Sequence, residues 1–167
     1  YQWEDYYFNA DKLYRDHVQT IVSMFEKCSG TLLDVGCGDG LISYLLHGKG
    51  FDVHGVDTNA IAIRLAKEKA PGIKFERKSY ADVTDSFDHI LASEVIEHIK
   101  NDRHFISHLS SLCEKSLLLT TDIVTEKDPY SYRSYTVDDI RTLMKSFFPH
   151  VDIVVNKNNI YDYCKKS

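Results

Sequence analysis

The sequence predicts a single α/β domain with a doubly wound, mostly parallel sheet. Short apolar runs alternate with segments whose apolar residues recur at helical spacing. A run such as Leu117-Leu118-Leu119 is apolar at every position, which is typical of parallel strands covered on both faces. Two runs near the C-terminus, residues 151–155 and 160–164, are separated by Asn-Lys-Asn-Asn and predict a closing antiparallel hairpin.

In chain order, we expect strands at residues 32–35, 51–57, 73–78, 87–92 and 117–121. Helices are expected after Gly40, after Thr58 as an N-cap, around Phe105 and from Thr136, with Asp138 and Asp139 in the first turn of the last one. We expect residues 1–167 to form one domain, in which residues 1–29 are an N-terminal flap and helix.

The N-terminal segment is rich in aromatic and acidic residues at positions 1–9. These rings would either pack over a neighbouring surface or form a flap over a bound ligand. The pattern at residues 10–27 then predicts a helix, and Gly30 marks where it terminates. The positions expected on its apolar face are Leu13, Val18, Ile21, Val22 and Phe25.

The composition excludes several classes of protein. Twenty basic residues stand against 25 acidic ones, and no basic stripe is visible, which argues against a nucleic-acid partner. The sequence has neither a run long enough to span a membrane nor a signal peptide. Its four cysteines are scattered without a CxxC pair, which favours reduced thiols and a cytoplasmic location. Because the chain starts at Tyr1, we expect its natural N-terminus to lie further upstream.

The most informative stretch is LLDVGCGDG, residues 32–40, in which a buried strand leads into a glycine-rich turn and a helix. Alternating glycines let the backbone approach a ligand, and the helix directs free N–H groups at it. Leu41 occupies the position of the third glycine of a dinucleotide fingerprint. Asp34 would repel a pyrophosphate and attract a sulfonium or ammonium, while Asp57 stands where a ribose diol would bind. These features indicate S-adenosylmethionine.

Three segments, LLDVGCGDG, VHGVD and FDHILASEVIEHI, together resemble the motif series of the class I S-adenosylmethionine-dependent methyltransferases. The resemblance covers the chain from Leu32 to the terminal hairpin. It implies a Rossmann-like fold with a seven-stranded, mostly parallel sheet, in which an antiparallel last strand inserts beside strand six.

The resemblance also implies a cofactor site. Asp34, Gly36, Cys37 and Gly38 would surround the methionyl part, with Cys37 as a small packing residue and not a nucleophile. The remaining positions implied are Asp57 at the ribose, Thr58 beside the adenosine, Tyr80, Ala81 and Asp82 at the adenine, Ser93 near the transferred methyl, and Arg15 at the cofactor carboxylate. Arg15 would otherwise be an ordinary surface arginine.

A second group of candidate residues is Glu94, Glu97 and His98, whose spacing predicts one face of a helical turn. Such a cluster would either bind a divalent cation (Mg²⁺, Mn²⁺ or Zn²⁺) that lowers the pKa of an acceptor hydroxyl, or act without metal. In the second case Glu94 and His98 would be catalytic, with His98 as general base or as a group that orients the acceptor. His104 and His108 would form either a further metal pair or solvated helix histidines.

The segment EVIEH resembles the O-methyltransferases of ubiquinone biosynthesis and, more weakly, the small-RNA 3′-terminal 2′-O-methyltransferases. The RNA enzymes use a further histidine after strand five, where this chain has the tyrosine-rich run at residues 130–135. That run would line the acceptor pocket or pack on the sheet edge.

We therefore expect methyl transfer to a small-molecule hydroxyl. The alternatives are an N-methyltransferase of a sugar or amine, an RNA 3′-end methyltransferase, a nicotinamide oxidoreductase, and a cofactor-binding regulatory or partner subunit.

Overall fold

The computed structural model describes residues 11–123 and 129–167, so the predicted flap at residues 1–9 lies outside the described residues. The chain divides into two compact units, of which the first ends at Lys78 and the second begins at Ser79. Within the described residues, no helix is long and apolar enough to cross a membrane.

The first unit is a three-stranded parallel sheet with helices between its strands. Its elements are α1 (Lys12–Met24), β1 (Thr31–Val35), α2 (Leu41–Gly48), β2 (Asp52–Asp57), α3 (Ala60–Lys69) and β3 (Lys74–Arg77). Val35 pairs with Val56 and Asp57 with Arg77, so all three strands end at the same edge. The glycine loop after β1 and the acidic end of β2 are therefore neighbours.

Two helix predictions in this unit need correction. Helix α1 ends at Met24 instead of near Gly30, and Leu13 is 55% exposed because only later turns of the helix face the core. Asn59, and not Thr58, is the N-cap of α3, since its side chain accepts hydrogen bonds from the backbone N–H groups of Ile61 and Ala62.

The second unit begins with a 3-10 turn at Tyr80–Asp82 and contains a second such turn at Ile96–His98. Its regular elements are β4 (Phe87–Ser93), α4 (Asp102–Leu112), β5 (Cys113–Asp122), α5 (Val137–Lys145), β6 (His150–Asn156) and β7 (Asn159–Lys165). Strands β4 and β5 are parallel, whereas β7 runs antiparallel to both β5 and β6.

The predicted hairpin and the last helix are confirmed. The strands of the hairpin close at Asn156 and Asn159. Helix α5 starts from a capping box, in which the Thr136 side chain accepts from the N–H of Asp139 and the Asp139 carboxylate accepts from the N–H of Thr136. The strands are ordered β3-β2-β1-β4-β5-β7-β6 in a seven-stranded sheet, which confirms the predicted fold class.

One carboxyl group, that of Asp162 on β7, is fully buried inside the sheet. The Cys164 thiol donates to its Oδ1 at 3.4 Å, and its Oδ2 has no hydrogen-bond partner among the described residues. Burial raises the pKa of Asp162 to about 7. The Cys164 hydrogen bond and the charge of Arg141 lower this pKa, while the charge of Asp152 raises it.

We predict that Asp162 makes the fold less stable as the pH rises. The unfolded chain releases this proton near pH 3.8 and the folded chain near pH 7, so the loss occurs between these values. It amounts to on the order of 4 kcal/mol and does not grow further at higher pH. Urea unfolding of Asp162→Asn across this window should lack that part of the decline, whereas exposed Asp85→Asn should retain it. Identical pH profiles for Asp162→Asn and the native chain would contradict the prediction.

Candidate functional site

The glycine loop lies at the carboxyl end of β1 and folds over the end of β2. The N–H groups of Gly36 and Cys37 donate to the Val56 carbonyl at 2.8 and 3.1 Å. Gly36 and Gly38 have φ values of 72° and 54°, in the left-handed region that favours glycine. A Cβ atom on Gly38 would meet nothing within 4 Å, so the backbone here faces open space that a ligand can enter.

Gly40 is required for a different reason. It caps α2 at φ 85°, and a Cβ atom there would lie 2.7 Å from the Phe75 ring and 3.0 Å from the Ala66 side chain. Gly38 therefore permits an approach from outside. Gly40 instead lets the loop pack against the rest of the first unit.

Asp57 connects the glycine loop to the start of α3. Its Oδ2 accepts from the Gly38 N–H at 3.0 Å, and its Oδ1 accepts from the Asn59 N–H at 2.8 Å. An ionised carboxylate offers about four lone-pair sites, so Asp57 retains acceptor capacity beyond these two bonds. The structure thus places an available negative charge beside the open face of Gly38.

Asp34 is buried on β1, where the Ser43 hydroxyl donates to its Oδ2 at 2.6 Å. Burial raises the pKa of Asp34 to about 6, the Ser43 hydrogen bond lowers it, and the charge of Asp57 raises it. Asp34 is therefore mostly ionised at pH 7. Attraction of a cationic ligand by this charge stays a prediction.

Cys37 is also buried in the loop, and its thiol is free. Burial raises the pKa of this thiol, and the charges of Asp34 and Asp57 raise it further. A thiol with a raised pKa is a poor nucleophile because the thiolate is the reactive form.

The structure shows an ion pair in the loop that sequence reasoning missed. The Lys69 ammonium, at the end of α3, lies 3.1 Å from Oδ2 of Asp39. Oδ1 of Asp39 accepts from the Leu41 N–H at 3.4 Å. Thirty positions separate the two partners, so no local sequence pattern indicated this contact.

Two other predicted cofactor residues of the first unit, Thr58 and Arg15, are more exposed than Asp34. Thr58 is exposed, and its carbonyl accepts from the Arg77 Nε–H at 3.1 Å. Arg15 lies half-buried on α1. Their contacts with a cofactor stay predictions.

In the second unit, Tyr80 begins the turn that also contains Ala81 and Asp82. The Tyr80 ring packs edge-on against Phe105, with 4.7 Å between the ring centroids, and its hydroxyl lies 3.2 Å from Nδ1 of His104. The Nε2–H of His108 donates to the Val83 carbonyl at 3.0 Å. Both histidines thus contact the Tyr80 segment and are not simply solvated, while metal binding by this pair stays a prediction.

The predicted helical face of Glu94, Glu97 and His98 is wrong. Strand β4 continues to Ser93, and Glu94 follows it with a φ of 55°, in the left-handed region. The 3-10 turn starts only at Ile96. Glu94 therefore does not share a helical face with Glu97 and His98.

The side chains of Glu94 and Glu97 each bond to a threonine of β5. The Glu94 carboxyl accepts from the Thr120 hydroxyl at 2.9 Å, and the Glu97 carboxyl accepts from the Thr121 hydroxyl at 3.3 Å. Ser93, the other predicted residue here, has its hydroxyl 2.9 Å from that of Thr120.

The predicted metal site at Glu94, Glu97 and His98 is not supported. Across residues 11–123 and 129–167, no group of three or more His, Cys, Asp or Glu side chains is arranged to hold a metal ion. The Glu94 and Glu97 carboxyl groups accept hydrogen bonds from threonines of β5, and Nδ1 of His98 faces the Tyr130 carbonyl.

The protonation of His98 follows from its contact. Its Nδ1 lies 3.1 Å from the Tyr130 carbonyl, which can only accept a hydrogen bond. Neutral His98 therefore carries its proton on Nδ1 and keeps a lone pair on Nε2. Oε1 of Glu97 lies 4.0 Å from that Nε2 and would stabilise the imidazolium form.

The two glutamates are unusually weak acids. Burial raises the pKa of Glu94 to about 8, the charges of Glu97 and Asp122 raise it further, and the Thr120 hydrogen bond lowers it. Burial likewise raises the pKa of Glu97, which is 7% exposed. The raised pKa of Glu94 favours its protonated form, which cannot act as a general base.

We predict that Gly38→Ala folds but loses binding of the predicted cofactor, because its methyl group would occupy the open space beside Asp57. Gly50→Ala is the matched control, since Gly50 also has a positive φ (100°) and open surroundings. Both variants should lose about 1–2 kcal/mol of unfolding free energy. Only Gly38→Ala should fail in calorimetric titration with S-adenosylmethionine. Native affinity in this variant would show that the space is not part of the site.

Comparisons with known proteins identify the family of this chain. A family profile described as a methyltransferase domain matches residues 7–153. The ubiquinone biosynthesis O-methyltransferase of Rickettsia conorii is 36% identical over 104 residues, which are 56% of this chain and 36% of that protein. The mitochondrial ubiquinone biosynthesis O-methyltransferase of Saccharomyces cerevisiae is 26% identical over 163 residues, covering 90% of this chain and 52% of the relative. The chain thus spans between about a third and a half of these relatives' length.

A comparison with solved structures finds the same fold in a methyltransferase. The crystal structure of magnesium protoporphyrin IX methyltransferase from Synechocystis PCC 6803 with bound S-adenosylmethionine superposes with a TM-score of 0.77 at 20% identity. The match covers 92% of this chain and 80% of that chain. Together with the match of the family profile to most of the chain, these findings show that the protein belongs to the class I S-adenosylmethionine-dependent methyltransferases.

Proposed function

We propose that this protein transfers a methyl group from S-adenosylmethionine to a hydroxyl oxygen of a small molecule. The observation that carries the proposal is the Asp57 carboxylate beside the open face of Gly38, at the end of β2. The names of the curated relatives, which are O-methyltransferases, support oxygen as the acceptor atom.

The residues of the glycine loop fit the cofactor. When bound, S-adenosylmethionine supplies an activated methyl group on a sulfonium. Asp57 would accept hydrogen bonds from the ribose hydroxyls, and the backbone at Gly36 and Gly38 would lie against the methionyl part. Asp34 and Asp57 are both acidic, which suits a cationic ligand better than a pyrophosphate.

On the acceptor side, His98 would act as general base through the lone pair on Nε2. Nε2 would accept the hydroxyl proton as the acceptor oxygen takes the methyl group from the sulfonium. The leaving thioether is neutral and needs no acid. Glu97 would stabilise the resulting imidazolium, and positioning of the acceptor would supply much of the rate.

Calorimetry and an acceptor panel test the proposal. The protein should bind S-adenosylmethionine and its demethylated product but not NAD, whose binding would favour the oxidoreductase alternative. Radiolabelled cofactor should then transfer its methyl group to a phenol or a sugar hydroxyl in the panel, and labelling of carboxylates only would contradict a hydroxyl acceptor. Labelling of amines only, or of RNA 3′ ends only, would replace the acceptor proposal. Binding without any transfer would favour a regulatory or partner subunit.

We also infer that residues 1–167 act as one cofactor-binding domain, which the family match over residues 7–153 supports. The four cysteines are free thiols, which supports the expected cytoplasmic location because unpaired thiols are typical of reducing compartments.

A further inference from the structure

We propose that Arg133 is a positioning residue that, with Asp102 and Tyr135, keeps the proton of His98 on Nδ1. These three residues are called the anchor cluster below. The functional part of this inference rests on the proposed role of His98 as general base. It adds two charged residues to the reaction that lie outside the methyltransferase motifs.

The anchor cluster is built around the Asp102 carboxylate at the start of α4. Its Oδ2 lies 2.7 Å from NH1 of Arg133 and accepts from the Tyr135 hydroxyl at 2.9 Å. The other arm of the guanidinium, NH2, donates to the Lys100 carbonyl at 2.7 Å. Because the guanidinium is planar, bonds from two of its nitrogens define its direction as well as its distance.

The side chains of the anchor cluster are largely shielded from solvent, which strengthens their ion pair and hydrogen bonds. Tyr135 is only 6% exposed, and the side chains of Asp102 and Arg133 are 24% and 33% exposed. Burial raises the pKa of the Tyr135 hydroxyl, so it stays a donor at neutral pH. An ion pair with a second donor on the same carboxylate is stronger than an isolated surface pair.

The segment that Arg133 holds is attached to the His98 turn at two further points. The Tyr132 N–H donates to the Glu97 carbonyl at 2.8 Å, and the Tyr130 carbonyl accepts from Nδ1 of His98 at 3.1 Å. The side chains of Tyr130 and Tyr132 are 82% and 58% exposed, so burial of these rings does not hold the segment in place. Arg133 follows Tyr132 directly, so its ion pair with Asp102 lies next to these two attachments.

The consequence for His98 is a choice of tautomer. With the Tyr130 carbonyl in place, Nδ1 is the donor and Nε2 keeps the lone pair that a base needs. If the segment moves away, Nδ1 loses this acceptor and the two tautomers of the imidazole mix. Loss of Arg133 would therefore affect the proton transfer without affecting the first unit, where the predicted cofactor residues Asp34 and Asp57 lie.

The direct test is the ¹⁵N NMR spectrum of the histidine side chains, which reports the tautomer without any turnover. His98 of the native protein should show a protonated Nδ1, and Arg133→Met should give a mixture of tautomers. His108, whose Nε2–H donates to the Val83 carbonyl, serves as an internal reference that should not change. A native His98 protonated on Nε2, or an unchanged signal in Arg133→Met, would overturn the inference.

The kinetic test uses the acceptor found in the panel. Arg133→Met should lower kcat by about 10- to 100-fold while leaving the affinity for S-adenosylmethionine unchanged. Arg64→Met, which removes an exposed arginine paired with Glu68 on α3, is the control and should retain native kcat. The charge swap Asp102→Arg with Arg133→Asp should recover part of the loss. A native kcat in Arg133→Met, or no recovery in a folded swap variant, would count against the anchor role.

A double-mutant comparison separates this inference from the proposed function. In a His98→Ala background, Arg133→Met should cause no further loss of kcat, because both changes remove the same proton transfer. A full additional loss would show that Arg133 acts elsewhere. If the native protein transfers no methyl group at all, the proposed function fails while the NMR result still decides whether the anchor cluster sets the tautomer.

Discussion

Replacing Asp57 with alanine should weaken binding of S-adenosylmethionine by about 100- to 10,000-fold. Hydrogen bonds from hydroxyl groups to a charged acceptor contribute about 1.5–3 kcal/mol each, and a ribose diol makes two of them. The carboxylate also accepts from the N–H groups of Gly38 and Asn59, so the variant loosens the loop as well. Isothermal titration calorimetry measures the change directly.

The conservative variant Asp57→Asn separates the contribution of the negative charge from that of the oxygen acceptor. An amide keeps one oxygen acceptor but carries no charge, so we expect an affinity between those of Asp57→Ala and the native protein. Asp52→Ala is the matched control, because Asp52 is an exposed aspartate at the other end of the same strand. Native affinity in Asp57→Ala would show that the ribose does not bind at the end of β2.

Replacing His98 with alanine should lower kcat by about 100- to 10,000-fold, the usual contribution of a general base. Affinity for S-adenosylmethionine should stay native, because His98 belongs to the predicted acceptor side and not to the glycine loop. Steady-state kinetics with a saturating acceptor, combined with calorimetry, separates the two effects.

His150→Ala is the control for this variant, since His150 is an exposed histidine on β6. It should retain both turnover and cofactor affinity. A His98→Ala enzyme with native kcat would remove His98 from the mechanism and leave positioning as the main source of catalysis. Loss of cofactor affinity in this variant would instead move His98 to the donor side.

Much of the fold was predictable from the sequence because buried strands are recognisable as short apolar runs. Strand β1 and the terminal hairpin were predicted to within about two residues of their ends, the usual precision at element boundaries. The cap of α3 was misplaced because Thr58 and Asn59 are both good capping residues. Only the backbone geometry shows that the Asn59 side chain reaches the free N–H groups.

The Glu94–His98 segment shows where sequence reasoning failed. Spacing of three and four residues indicates a shared face only if the helix is continuous. Here the hydrogen bond from the Glu94 N–H to the Thr120 carbonyl extends the contact with β5, and Glu94 adopts a left-handed backbone conformation. The metal prediction relied on the assumed helix, and the described residues do not support it.

The sequence by itself was enough to predict the residues that we assign to the donor side. Asp34, the glycines after it and Asp57 lie within two neighbouring strands and their loops, whose geometry follows from local rules of strand, turn and helix. The tertiary structure alone decided which partners the side chains have on the acceptor side. His98 meets the Tyr130 carbonyl 32 positions away, and Arg133 meets the Lys100 carbonyl 33 positions away. Such contacts depend on how distant segments pack together, and no local pattern encodes them.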